Sequence, residues 1–79
     1  MATAHPSFQV ALGKAVKARR EELGLTQEEL ANEADLHQRW ISNLECGWRN
    51  PSLRSIQRLA RGLDLTPSEL LARGERLER

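Results

Sequence analysis

LTQEELANEADLHQRWISNLECG, Leu25 to Gly47, is the stretch that decides how this chain folds. Its first six residues form a helix start. Thr26 is spaced to accept a hydrogen bond from the amide of Glu29, and Glu29 to reach back to the amide of Thr26. Leu25 and Leu30 stand where a hydrophobic staple closes. A helix is therefore expected from about Gln27 to Ala34, interrupted at Asp35 and Leu36. Another is expected from His37 or Gln38 to Glu45 or Cys46, with Gly47 as its stop. Two short helices this close in sequence must cross steeply and pack through Leu30, Ala31, Leu36, Ile41 and Leu44.

The flanks extend the same pattern. Met1 to Pro6 is small and polar and reads as a loose tail. Ser7 is expected to cap a first helix, in which Phe8, Leu12, Ala15, Val16 and Leu23 recur at helical spacing before Gly24 stops it. WRNP, Trp48 to Pro51, reads as a turn. Leu53, Ile56, Leu59, Ala60 and Leu63 mark a fourth helix. LTPSEL, Leu65 to Leu70, repeats the earlier start signal: Thr66 as cap, Pro67 at the first helical position, Glu69 completing the box. A short fifth helix is expected, ending before Gly74, and GERLER reads as a charged, frayed tail. The organisation is thus a tail over 1–6, one domain over 7–73 and a second tail over 74–79. Nothing reads as a strand. The fold class is all-α, a compact five-helix bundle. Its second and third helices, about residues 26–45, have the layout of a helix-turn-helix, whose second helix enters the DNA major groove.

Composition narrows the function classes. Seventy-nine residues make one small domain, with 39% apolar and 29% charged residues, as in a folded soluble protein. No apolar run reaches the roughly 20 residues that cross a bilayer, and MATAHPSF lacks the features of a signal peptide, so a cytoplasmic location is expected. One cysteine, Cys46, forms no internal disulfide. With His5 and His37 scattered and no ligand-pair spacing, neither a metal nor another cofactor is expected. An enzyme would need a nucleophile–base pair, a metal or a glycine-rich phosphate loop, and the sequence supplies none of these.

Net charge is only +1, yet charge is blocked along the chain. Lys14, Lys17, Arg19 and Arg20 precede six acids, Glu21, Glu22, Glu28, Glu29, Glu33 and Asp35. From Leu36 to Arg61 come Arg39, Arg49, Arg54, Arg58 and Arg61 against the single acid Glu45. Each block alone reads as a solvated helix face. Phosphate binding depends on local rather than net charge, so a fold that gathered the basic blocks would suit double-stranded DNA.

On these residues the chain resembles the Cro/phage-repressor type helix-turn-helix family, also called XRE. The resemblance runs from about Val16 to Leu71. It rests on Arg20 four before Gly24, TQEELA, Ile41-Ser42 followed by Glu45 and Gly47, NPSL and LARGL, in that order. LHQRWIS and WRN are also similar to the small single-domain regulators of this family, restriction–modification controllers among them. The resemblance implies a lambda-repressor-like domain acting as a homodimer on a near-palindromic operator. It implies that Leu65, Leu70 and Leu71 of the fifth helix supply dimer contacts, with a role in the ordinary core as the alternative.

On a helical wheel Gln38, Arg39, Ser42 and Asn43 share one side of the third helix, opposite Ile41 and Leu44. The family's base-reading positions map onto Gln38, Arg39 and Asn43. Arginine suits guanine, and glutamine or asparagine suits adenine. Gln27, Ser42, Arg49 and Asn50 are expected on the DNA backbone, Gln27 by resemblance. The family also implies a structural ion pair between Arg20 and Glu45 that holds the recognition helix. Trp40, about 40° from Leu44 on the wheel, is expected to flank the core. Trp48 is left open between burial and exposure beside DNA. Cys46 departs from the polar or basic residue usual there and is read as a bystander, with oxidation that hinders binding as the alternative. Glu28 and Glu33 are candidate contacts to RNA polymerase. The competing function is an antitoxin-type protein-interaction module in which DNA binding is secondary.

Overall fold

The computed structural model describes residues 7–78, which form five α-helices and no strand. They are α1 (Ser7–Glu22), α2 (Gln27–Ala34), α3 (Gln38–Glu45), α4 (Leu53–Gly62) and α5 (Pro67–Glu78). The expected loose tail over 1–6 lies outside the described residues, as does Arg79.

Both expected capping boxes form. The Glu29 amide donates to Thr26 Oγ1 at 3.0 Å, and the Thr26 amide to Glu29 Oε1 at 2.8 Å. At α5 the Glu69 amide donates to Thr66 Oγ1 at 3.1 Å and the Thr66 amide to Glu69 Oε1 at 2.8 Å. Two backbone donors that a helix start leaves orphaned are satisfied at each place. These bonds hold the Glu69 carboxyl below the usual range, chiefly through the Thr66 amide. Ser52 caps α4 by accepting from the Ser55 amide at 3.1 Å. Ser7, expected as a cap, is instead the first helical residue of α1.

The first four helices end alike. After each, one residue takes a left-handed backbone: Gly24 (φ 70°), Asp35 (φ 57°), Gly47 (φ 82°) and Asp64 (φ 58°). The amide that follows it closes a six-residue loop onto the helix: Leu25 to Arg20 O, Leu36 to Ala31 O, Trp48 to Asn43 O and Leu65 to Ala60 O, at 2.8–3.0 Å. This is the Schellman arrangement, which satisfies the orphaned carbonyls and turns the chain sharply. It explains how α2 and α3 stop after eight residues each.

The core draws on every helix: Leu12 and Val16 from α1, Leu30, Ala31 and Ala34 from α2, Ile41 and Leu44 from α3, Ile56, Leu59 and Ala60 from α4, and Leu70 from α5. Phe8, Leu36, Trp40, Leu65 and Leu71 pack at its margin. Two leucines of the apolar pattern are not core. Leu23 lies past the end of α1 and is exposed, and Leu53, the first residue of α4, is 72% exposed.

The C-terminus corrects the sequence reading. The helix does not end before Gly74, and GERLER is no frayed tail, because α5 runs on to Glu78. Gly74 is a buried crossing point rather than a stop. A Cβ there would stand 3.2 Å from Phe8 and 3.4 Å from Leu12 of α1. Tight approach at Gly74 lets α5 lie along α1, and Arg73 Nη1 reaches Glu22 Oε1 at 3.3 Å across the pair. Helix–helix burial thus outweighs the roughly 1 kcal/mol that an interior glycine costs a helix. The last helix therefore runs five residues past 73, to Glu78.

Candidate nucleic-acid interface

Ile41 and Leu44 of α3 are fully buried, whereas Gln38 and Arg39 are exposed and Ser42 and Asn43 half-exposed. These four polar residues and Gln27, the first residue of α2, line one open cleft. The structure therefore brings together five of the seven expected binding residues. Arg49 and Asn50 are exposed on the turn beyond and do not line it.

Behind the cleft, α3 is held by a clamp. Arg20 of α1 forks onto Glu45 at the end of α3, with Nε to Oε2 at 2.7 Å and Nη2 to Oε1 at 3.0 Å. Its Nη1 also donates to Leu25 O at 2.8 Å. The side chains are 11% and 4% exposed, so this expected ion pair is a buried, two-pronged one. Glu45 holds the Arg20 guanidinium charged, raising its pKa mainly through the hydrogen bond.

Gln27 adds a member that sequence reading missed. Its Nε2 donates to Glu45 Oε1 at 3.0 Å, so the residue at the mouth of the cleft is tied to the same carboxylate. One Nε2 hydrogen remains for another acceptor.

The same C-terminal end of α3 rests on α1. A Cβ on Gly13 would overlap the carbonyl oxygen of Leu44, so the two helices touch backbone to side. Gln9 Nε2 donates to Gly47 O at 2.8 Å, and Gly47 sits against Val10. A glycine in the middle of a helical pattern was the available signal for Gly13. Nothing local marks Gln9, whose partner lies 38 residues away.

The first basic block serves mostly inside the molecule. Arg19 Nε donates to Leu63 O at 2.9 Å, closing the end of α4, and its Nη1 meets Glu22 at 3.1 Å. Arg19 and Arg73 together hold the Glu22 carboxyl below its usual range. With Arg20 in the clamp, only Lys14 and Lys17 of this block are exposed. Arg39, Arg49, Arg54 and Arg61 of the later block are exposed.

Trp40 packs at the core margin as expected, and Trp48 is 73% exposed, which resolves its open position. Cys46 is an exposed free thiol. Glu28 and Glu33 are exposed. Leu65 and Leu71 are half-buried, but Leu70 is fully buried in its own chain. That corrects Leu70: a side chain with no exposed surface is core and offers a partner nothing. Among the described residues no His, Cys, Asp or Glu cluster is arranged to hold a metal. None of their helices is long and apolar enough to cross a membrane.

Comparison with known proteins agrees with this geometry. The sequence profile of the helix-turn-helix family matches residues 16–70. Control protein C.BamHI of Bacillus amyloliquefaciens is 40% identical over 58 residues, which are 73% of this chain and 72% of that protein. The restriction-modification controller protein C.AhdI from Aeromonas hydrophila superposes with a TM-score of 0.76 at 39% identity, over 78% of this chain and 94% of that one. The controller protein C.Esp1396I, solved as a tetramer with its natural 35 base-pair operator, superposes at 0.82 with 25% identity, over 90% and 93% of the chains. By profile, by relatives and by fold, the chain belongs to the helix-turn-helix family of the Cro/phage-repressor (XRE) type.

Proposed function

We propose that this protein is a sequence-specific transcription regulator of the controller type, which places α3 in the DNA major groove. The observation that carries the proposal is the cleft of Gln27, Gln38, Arg39, Ser42 and Asn43 on a recognition helix clamped from behind by Arg20 and Glu45. The major groove, about 12 Å wide, admits one α-helix. Arg39 donates two hydrogen bonds to guanine, and Gln38 or Asn43 pairs with adenine. Ser42, Arg49 and Asn50 grip the backbone, and Gln27 gives its remaining amide hydrogen to a phosphate while the other stays on Glu45.

The protein works as a homodimer on a near-palindromic operator, with Leu65 and Leu71 contributing at the subunit contact. C.BamHI and C.AhdI, both controllers, support a role beside restriction–modification genes. Glu28 and Glu33, exposed on α2, are the residues through which RNA polymerase is contacted when the regulator activates. The chemistry is recognition without catalysis, and the working compartment is the cytoplasm.

Selection of bound sequences from random duplex DNA tests this reading. Two inverted half-sites about one helical turn (roughly 34–36 Å) apart are expected. Affinity should fall with salt with a log–log slope of about 0.9 per neutralised phosphate. Absence of any enriched sequence, or binding indifferent to salt, refutes it.

A further inference from the structure

The four Schellman turns invite a comparison within the chain. In this arrangement the residue after the left-handed position is usually apolar and packs back on its own helix. Here those residues are Leu25, Leu36, Trp48 and Leu65. The three leucines are half-buried, and Leu36 and Leu65 pack against the core. Trp48 alone is 73% exposed. Its two packing positions on α3 are Asn43 and Ser42, polar residues that line the cleft. No described residue accepts a hydrogen bond from its indole Nε1–H.

Trp48 is nevertheless held firmly. Its amide donates to Asn43 O at 2.9 Å, and the preceding Gly47 is fixed by its amide to Leu44 O at 2.9 Å and by Gln9. A large aromatic side chain is thus presented on a hydrogen-bonded turn directly after the recognition helix, and no described residue accepts from its indole. The sequence that follows it is basic. From Cys46 to Leu63 there are four arginines, Arg49, Arg54, Arg58 and Arg61, and no acid. An indole N–H donates and never accepts, so its partner is an acceptor, and the exposed Arg49 next to it in the chain favours an anionic one.

We propose that Trp48 is a DNA-backbone contact, with its ring against a deoxyribose of the strand beside the recognition helix and its Nε1–H on a phosphate oxygen. This rests on the DNA-binding reading above. The contact adds affinity and fixes the docking register without reading sequence, as backbone contacts do. It differs from an arginine contact because it releases no counterion.

The test compares wild type, Trp48→Ala and Arg49→Ala on two 30-base-pair duplexes, the one recovered by selection and a scrambled one, across a salt series. Thermal melting confirms folding, and the exposed Trp48 is safe to truncate. Trp48→Ala is expected to weaken both duplexes in the same proportion, about tenfold, with an unchanged salt slope. Arg49→Ala should lower the slope by about one. Trp48→Ala affinity within twofold of wild type overturns the proposal, as does a loss confined to the selected duplex, which would mean base reading. A loss of self-association with unchanged affinity for a single operator site, measured by sedimentation, also overturns it. Trp48 and the exposed Leu53 would then face a second copy of the chain. If wild type binds neither duplex, the DNA-binding reading fails with it, an outcome distinct from a failure of Trp48 alone.

Discussion

Replacing Glu45 by alanine should unfold much of this protein's margin of stability without removing a single cleft residue. The carboxylate accepts three hydrogen bonds: Arg20 Nε at 2.7 Å, Arg20 Nη2 at 3.0 Å and Gln27 Nε2 at 3.0 Å. Alanine leaves the Arg20 guanidinium buried with only Leu25 O as acceptor. Arginine cannot shed its proton to escape, and Glu45 already raises its pKa. Breaking a buried pair from one side typically costs about 3–5 kcal/mol, because the surviving charge stays desolvated. A domain of this length has a total of about 4–12 kcal/mol to lose. At roughly 4–8 °C per kcal/mol, Tm should drop by at least about 12 °C. Arg20→Ala should cost a similar amount, since it strands the carboxylate with Gln27 alone. The double variant should lose at least about 2 kcal/mol less than the sum, because neither charge is left behind. Urea denaturation of the four proteins measures this cycle. Losses that add to within about 0.5 kcal/mol would refute the clamp.

Three further outcomes follow from the geometry. Gly13→Ala gains about 1 kcal/mol of helix propensity but drives a Cβ into the Leu44 carbonyl, so the variant should be destabilised by about 1–3 kcal/mol net; a higher Tm would disprove the close crossing of α1 and α3. Arg39→Ala should leave Tm within about 2 °C, since the side chain is exposed, yet lose about 1–3 kcal/mol of discrimination at one base pair of the selected operator; equal loss at every sequence would make Arg39 a phosphate contact. The carboxyls of Glu22 and Glu69 titrate below their usual range, so both contribute stability above the unfolded-state value of about 4.3, and lose it as pH falls through their lower folded values. Tm should therefore decline below about pH 4, and Glu69→Gln, which keeps the capping acceptor but cannot titrate, should flatten part of that decline; an unaltered profile would show the box contributes none of it.

Much of this protein was legible because its decisive signals are local. Thr26 with Glu29, and Thr66 with Glu69, are three residues apart, so their reciprocal bonds depend on backbone geometry that any folded context preserves. Gly24 and Gly47 stop helices because a left-handed residue is cheapest at glycine. The wheel alone separated Gln38, Arg39, Ser42 and Asn43 from Ile41 and Leu44, since on a short amphipathic helix the apolar side faces the core.

What tertiary structure alone decided concerns pairs far apart in sequence. Gly74 looked like a stop, and only its seat against Phe8 and Leu12 shows why α5 continues across it. Leu70 and Leu71 are adjacent and chemically identical, but the packing of α5 buries the first completely and leaves part of the second at the surface. Arg19 and Arg20 read as one basic face until Leu63 O claims one and Glu45 the other. Gln27 and Gln9 are ordinary glutamines until folding sets their amides on Glu45 and Gly47. Trp48 stands where an apolar side chain normally packs back on its helix, and only its exposure shows that here the turn closes through the Trp48 amide alone. The sequence by itself determined the starts of α2, α4 and α5 and the stops at Gly24 and Gly47, because hydrogen bonds within a few residues set those points. Which side chains are covered, and which remain free to meet another molecule, was decided when the five helices packed, because burial is a property of surfaces brought together rather than of any segment.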